Sequence, residues 1–149
     1  MGPDPSLPPI AEKAAPMILR LLAALLIAAP ASADVWSFNT PSGNIECWVG
    51  EDFNSSDLSC TIFQRNAPMA QFTACPVNRG ITAFMLNRGG VEVTCTPFGE
   101  RPVGGQHVAD YGVTGQFGGF TCHSSRKGLD CRNEDGHGFF LSRAVQTAF

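Results

Sequence analysis

The residues of this chain best suited to chemistry are three histidines and the carboxylates beside them: His107-x-x-Asp110, His123 and Asp135-x-His137. Imidazole with carboxylate suits zinc or copper, and His107, Asp110 and one of many serines could be assembled into a hydrolytic triad. Spacing argues against both. No two histidines stand at H-x-H or H-x-x-x-H, and no Gly-x-Ser-x-Gly elbow presents a nucleophile. The carboxylates offer many pairs for glycoside chemistry, but nothing in their spacing singles one out. A small extracytoplasmic hydrolase or metal-dependent enzyme built on His107, Asp110, His123 or His137 is therefore the alternative reading. The leading one is a non-catalytic binding module. Its ligand-contact candidates are Trp48, because Trp is favoured at recognition hot spots, and His123, Asn133 and His137. His137 lies between Gly136 and Gly138, with little bulk to hide its ring. No cofactor and no metal is expected.

Such residues need elements to hold them, and the six cysteines indicate which. Met17 to Ala33 reads MILRLLAALLIAAPASA: one arginine, a short apolar run, and Ala31-Ser32-Ala33 as a small-residue cleavage site. This is the form of an export signal, so the exported chain is expected to begin at Asp34. The preceding Met1 to Pro16 is Pro-rich and lacks a cationic start, and reads as an upstream mis-start. The apolar run falls short of the roughly twenty residues of a membrane span, and no other segment qualifies, so a soluble periplasmic or secreted chain is expected. All six cysteines follow Asp34. An even number in a small exported domain argues for three disulfides rather than thiols or a metal site. Residues 34–149 carry eight basic and eleven acidic side chains with no basic run, which disfavours nucleic acid and anionic membranes as partners.

Short Val/Ile/Phe/Thr-rich runs separated by glycines predict an all-β domain of antiparallel hairpins, in a small sandwich or barrel. In the first hairpin Ile45 faces Ile62, Cys47 faces Cys60 and Val49 faces Leu58, with Glu46, Trp48, Ser59 and Thr61 on the other side and a polar loop over Gly50 to Asp57. In the second, the turn Asn87-Arg88-Gly89-Gly90 suggests pairing Leu86 with Val91, Phe84 with Val93 and Thr82 with Cys95. In the third, a turn at Ser125 to Gly128 brings Cys122 and Cys131 nearly opposite. Six cysteines admit many connectivities. These registers favour Cys47–Cys60, Cys75–Cys95 and Cys122–Cys131. Gly99 to Gly119 is irregular apart from a short strand near Tyr111 to Val113; Phe139-Phe140-Leu141 reads as a buried strand and Ser142 to Phe149 as a turn of helix. The pattern Gly43-x-Ile45-x-Cys47…Leu58-x-Cys60 recurs faintly as Gly118-x-Phe120-x-Cys122…Leu129-x-Cys131.

Phe38-Asn39-Thr40-Pro41-Ser42-Gly43-Asn44-Ile45-Glu46-Cys47 resembles the F-x-[ST]-P-S-G-N-I-x-C opening of a bacterial secreted or periplasmic domain of unknown function. Tyr111-Gly112, Cys122-x-Ser124, Gly128-Leu129-x-Cys131-x-Asn133 and Gly136 to Arg143 (GHGFFLSR) are similar to its closing signature. The chain departs in the middle, where Cys95-Thr96-Pro97-Phe98-Gly99-Glu100 replaces a Cys-x-Gly-Asp-Thr stretch. The resemblance implies export, bacterial origin and paired cysteines; it implies no activity. The function expected is thus binding, to a protein or a cell-envelope glycan.

Overall fold

Side chains on a strand alternate between its two faces, so a run with every second residue apolar can bury one face and wet the other. The computed structural model, which describes residues 34–96 and 105–149, has strands as its regular structure, and Ser56–Ile62, Ile81–Leu86, Phe120–Ser125 and Gly128–Arg132 among them alternate in this way. Residues 1–33, which hold the expected mis-start and the expected leader from Met17 to Ala33, and the departure from the family pattern at 97–100 lie outside the described residues.

Eleven strands form two sheets. The first has the order β5-β4-β3-β2-β1-β6, from β1 (Asp34–Asn39), β2 (Ile45–Glu51), β3 (Ser56–Ile62), β4 (Ile81–Leu86), β5 (Val91–Cys95) and β6 (His107–Val108). The second has the order β11-β10-β9-β8-β7, from β7 (Thr114–Phe117), β8 (Phe120–Ser125), β9 (Gly128–Arg132), β10 (Gly138–Leu141) and β11 (Gln146–Ala148). Every pairing is antiparallel except β1 with β6. The inward faces meet in one core, Ile45, Val49, Leu58, Ile62, Ile81 and Met85 from the first sheet against Phe120, Leu129, Phe139 and Leu141 from the second. This is an all-β, sandwich-like arrangement.

Each sheet has a stapled hairpin at its centre. Cys47–Cys60 joins β2 to β3 and Cys122–Cys131 joins β8 to β9, both with Cα atoms 4.1 Å apart. Cys75–Cys95 ties the 63–80 connection to β5. The faint repeat is these two hairpins, and Gly43 and Gly118, which open them, both have positive φ, at 66° and 54°. The 63–80 connection has no strand of its own. It is held by the buried guanidinium of Arg65, which donates to the carbonyls of Cys75, Pro76 and Arg79.

The first hairpin has the register expected of it, though its strands continue to the Glu51–Ser56 pair and leave a shorter loop, 52–55. The second differs by one residue: Met85 faces Val91, Ala83 faces Val93 and Ile81 faces Cys95. A slip of one moves every side chain to the opposite face, so Ile81, Ala83 and Met85 are the buried set and Leu86 is 47% exposed. The cause is a turn one residue longer than the Asn-Arg-Gly-Gly signal suggests: Leu86 stays paired with Asp57 of β3 but lies beyond the β4–β5 ladder, and its carbonyl accepts from Asn133 Nδ2 at 3.1 Å. Tyr111 to Val113 forms a turn rather than a strand, with Gly112 at φ 90°; the strand follows as β7. The tail is β11, not a helical turn. Its edge is closed by Gln71, whose amide donates to the Ala148 carbonyl and accepts from the Ala148 N–H.

Candidate functional site

At one end of the sandwich three turns meet around an open cleft of about 350 Å³. The first is Thr40-Pro41-Ser42-Gly43. Pro41 presets the turn, Gly43 N–H donates to the Thr40 carbonyl at 2.8 Å, and the positive φ of Gly43 returns the chain into β2. Asn44 then extends the hairpin beyond its last strand pair, its amide donating to and accepting from the Gln64 backbone at 3.0 and 2.8 Å. The second turn, between β8 and β9, carries Arg126 and Lys127 at its tip, between paired Ser125 and Gly128. Gly128 is required there: its φ is 152°, and a Cβ would lie 2.5 Å from the Leu141 carbonyl. The third, Ser142 to Val145, carries Arg143. It is fixed by the Ser142 hydroxyl, which donates to the Val145 carbonyl and accepts from the Val145 N–H, and by Gln146, which donates to the carbonyls of Ser142 and Arg143. Tyr111 stands at the rim, with the Arg126 guanidinium 5.2 Å above its ring, a contact worth about 0.5–1 kcal/mol at an exposed site.

The electrostatics of the cleft are one-sided. Arg126, Lys127 and Arg143 line it, and among the described residues no carboxylate or imidazole does. The other described basic side chains are engaged elsewhere. Arg65 and Arg79 donate to backbone carbonyls, while Arg88 and Arg132 pair with Glu134 and Asp130. Three cations thus gather on a chain whose formal charge is −3.

The four residues singled out from sequence do not form a cluster. Trp48 is 44% exposed on the outer face of the first sheet, where its side chain hydrogen-bonds the Glu46 carboxylate. That carboxyl is buried, and desolvation raises it above the ordinary carboxylate range, the Trp48 hydrogen bond partly offsetting the rise. His123 lies on the outer face of the second sheet, its Nδ1 2.8 Å from the Thr114 hydroxyl. Asn133 and His137 share the β9–β10 turn, at the end of β9 away from the cleft. Asn133 is buried and its amide is fully engaged: Nδ2 donates to the carbonyls of Leu86 and Gly89, and Oδ1 accepts from the N–H groups of Asp135 and His137. The contacts of His137 are made by its backbone, and its ring is exposed.

His107 packs edge-on against Trp36, ring centroids 6.1 Å apart, in an apolar groove of about 180 Å³ that also contains Phe38 and Phe117. His107 is exposed on β6, the edge strand of the first sheet, whereas His123 faces outward from the second. Asp110 is exposed in the connection after β6. Among the described residues no three His, Cys, Asp or Glu side chains are grouped as a metal would need.

The cleft cations were not indicated by residue type, since single basic residues in turns look like ordinary solvated surface. The available signal was positional: Ser42, Asn44, Gly128, Ser142 and Arg143 all belong to the segments that carry the sequence resemblance, and the fold brings both ends of it to one place.

Residues 66–149 match a family of unknown function, DUF6636. The chain belongs to that family. The matched residues include Tyr111, the β8–β9 turn and the Ser142 to Val145 turn, while the Thr40 to Asn44 wall precedes them. No curated protein and no solved structure matches the chain.

Proposed function

We propose that the chain is a non-catalytic binding module of the periplasm or cell exterior, which captures a cell-envelope glycan in the cleft between the three turns. The observation that carries this reading is the composition of the cleft wall: hydroxyls, one tyrosine and three cations converge there, and among the described residues none of the carboxylates or imidazoles that hydrolysis would need as acid and base joins them. Size agrees. Pockets for small ligands run from about 300 to 1,000 Å³, so the cleft suits one residue of a glycan and its neighbours. A protein partner would need roughly 800 Å² of contact on its own side. The three disulfides are consistent with an oxidising extracellular environment, and the leader from Met17 to Ala33 supplies the route.

Co-sedimentation with isolated envelope polysaccharide tests both halves of the proposal. The protein is expected to pellet with the glycan and to leave its chain length unchanged on long incubation. Shortened glycan would favour the hydrolase instead. Retention lost on Trp48→Ala but kept when the cleft is altered would move recognition to the outer sheet face and favour a protein-type interface.

A further inference from the structure

We infer that the ligand held in the cleft is an acidic saccharide, gripped through a carboxylate or phosphate group by Arg126, Lys127 and Arg143. This deepens the binding-module reading and rests on it.

The argument starts from what the neutral groups of the cleft are already doing. The Ser125 hydroxyl donates to the Gly128 carbonyl and accepts from the Lys127 N–H. The Ser142 hydroxyl is held twice by Val145. The Thr40 and Ser42 hydroxyls lie 3.3 Å apart, and Ser42 also accepts from the Asn44 N–H. Asn44 has both ends of its amide on Gln64. These bonds make a rigid wall, but they leave it few free acceptors. A neutral sugar presents hydroxyls that must donate as well as accept, and finds little there to donate to.

Apart from the Tyr111 hydroxyl at the rim, the cleft side chains with no hydrogen bond among the described residues are donors only: two guanidinium forks and an ammonium. Guanidinium matches the planar geometry of carboxylate and phosphate and binds both in bidentate fashion. The Arg126 fork is stacked on Tyr111, which limits its rotamers before any ligand arrives. Among the described residues no carboxylate lies in the wall to pair with the cations. The net negative charge of the chain makes this cleft a local exception to the molecule's own field, attracting an anion to one place.

The test is an NMR titration of the folded, disulfide-intact protein with tri-galacturonic acid and with its fully methyl-esterified form, the same saccharide without charge. The acid is expected to shift the amides of Ser42, Gly128 and Ala144, and to weaken with added salt. The ester is expected to bind about tenfold or more weakly, as loss of a charge-assisted contact implies. Arg126→Gln and Arg143→Gln, both at exposed turn positions, should each weaken the acid severalfold, with the melting temperature unchanged in Arg143→Gln and only slightly lowered in Arg126→Gln, which also loses the contact with the Tyr111 ring. Glucose 6-phosphate binding more tightly than the uronate would assign the anion as phosphate within the same proposal.

If the ester shifts the same amides as strongly as the acid, the anion inference fails and the glycan-binding module survives. A glutamate-rich peptide binding more tightly than either sugar would overturn the saccharide while keeping the anion. If no probe, charged or neutral, shifts a cleft amide, both readings fall.

Discussion

Glu46 and Asn133 show how polar residues come to be buried in this sandwich, and each makes a prediction. Burial raises the Glu46 carboxyl above its ordinary range. The folded state therefore binds the proton more readily than the unfolded chain, and this contribution to stability is fully present below the unfolded value and lost as pH rises through the folded one. One of its oxygens also has no hydrogen-bond partner among the described residues. Glu46→Gln, neutral at every pH, is expected to melt higher than the parent at neutral pH, with the gap closing below the ordinary carboxylate range. Melting curves across that pH range check it, and a gap independent of pH would contradict the assignment. Asn133 joins the β9–β10 turn to the β4–β5 turn, and Asn133→Ala strands two carbonyls and two N–H groups. A loss of about 2–4 kcal/mol is expected, given roughly 1 kcal/mol for each buried hydrogen bond broken. His137→Ala, which keeps the backbone bonds of the same turn, should be near neutral by denaturant titration and leave binding at the cleft unchanged.

At the scale of elements, the register of the second hairpin is the most exposed claim. Both Ile81-Ala83-Met85 and Thr82-Phe84-Leu86 contain enough apolar side chains to pass for an inward face, so alternation alone does not choose between them. The choice is made by the turn, where Leu86 stays paired with β3 but lies beyond the β4–β5 ladder and is held by Asn133, a partner 47 residues away in sequence. The first hairpin is legible from sequence because Ile45, Cys47, Val49 and their partners Ile62, Cys60 and Leu58 admit one register only. The strands β6 and β11 are two and three residues long and carry too little periodicity to read. The cleft is illegible for a related reason: its cations lie on two turns of the second sheet, and only the packing of the two sheets brings the Thr40 to Asn44 wall, from the other end of the domain sequence, against them. Met85→Asp should unfold the domain or lower its melting temperature steeply, since it buries a charge with no partner. Leu86→Asp should change stability by about 0.5 kcal/mol or less, as for ordinary surface substitutions. The reverse ranking in circular-dichroism melts would restore the other register.

At the scale of the whole molecule, the fold depends on its covalent links. The bridges span sequence separations of 13, 20 and 9, and each is worth about 3 kcal/mol in the chain-entropy model. Together they are comparable to the roughly 5–15 kcal/mol of a whole domain. Mild reduction is therefore expected to unfold the protein at ambient temperature, seen as loss of the near-ultraviolet tryptophan signal; a reduced chain that keeps this signal would show that the core suffices. The three disulfides are consistent with an oxidising extracellular environment, and under the proposed export N-terminal sequencing is expected to begin at Asp34, within a residue or two. The central claim is that recognition takes place at the meeting of three turns, and backbone amide mapping on adding envelope glycan tests it most directly. Perturbations are predicted at Ser42, Tyr111, Gly128 and Ala144, with Trp48, His123 and His137 unmoved. Perturbations confined to the Trp48 face, or to the groove of Trp36 and Phe117, would contradict it.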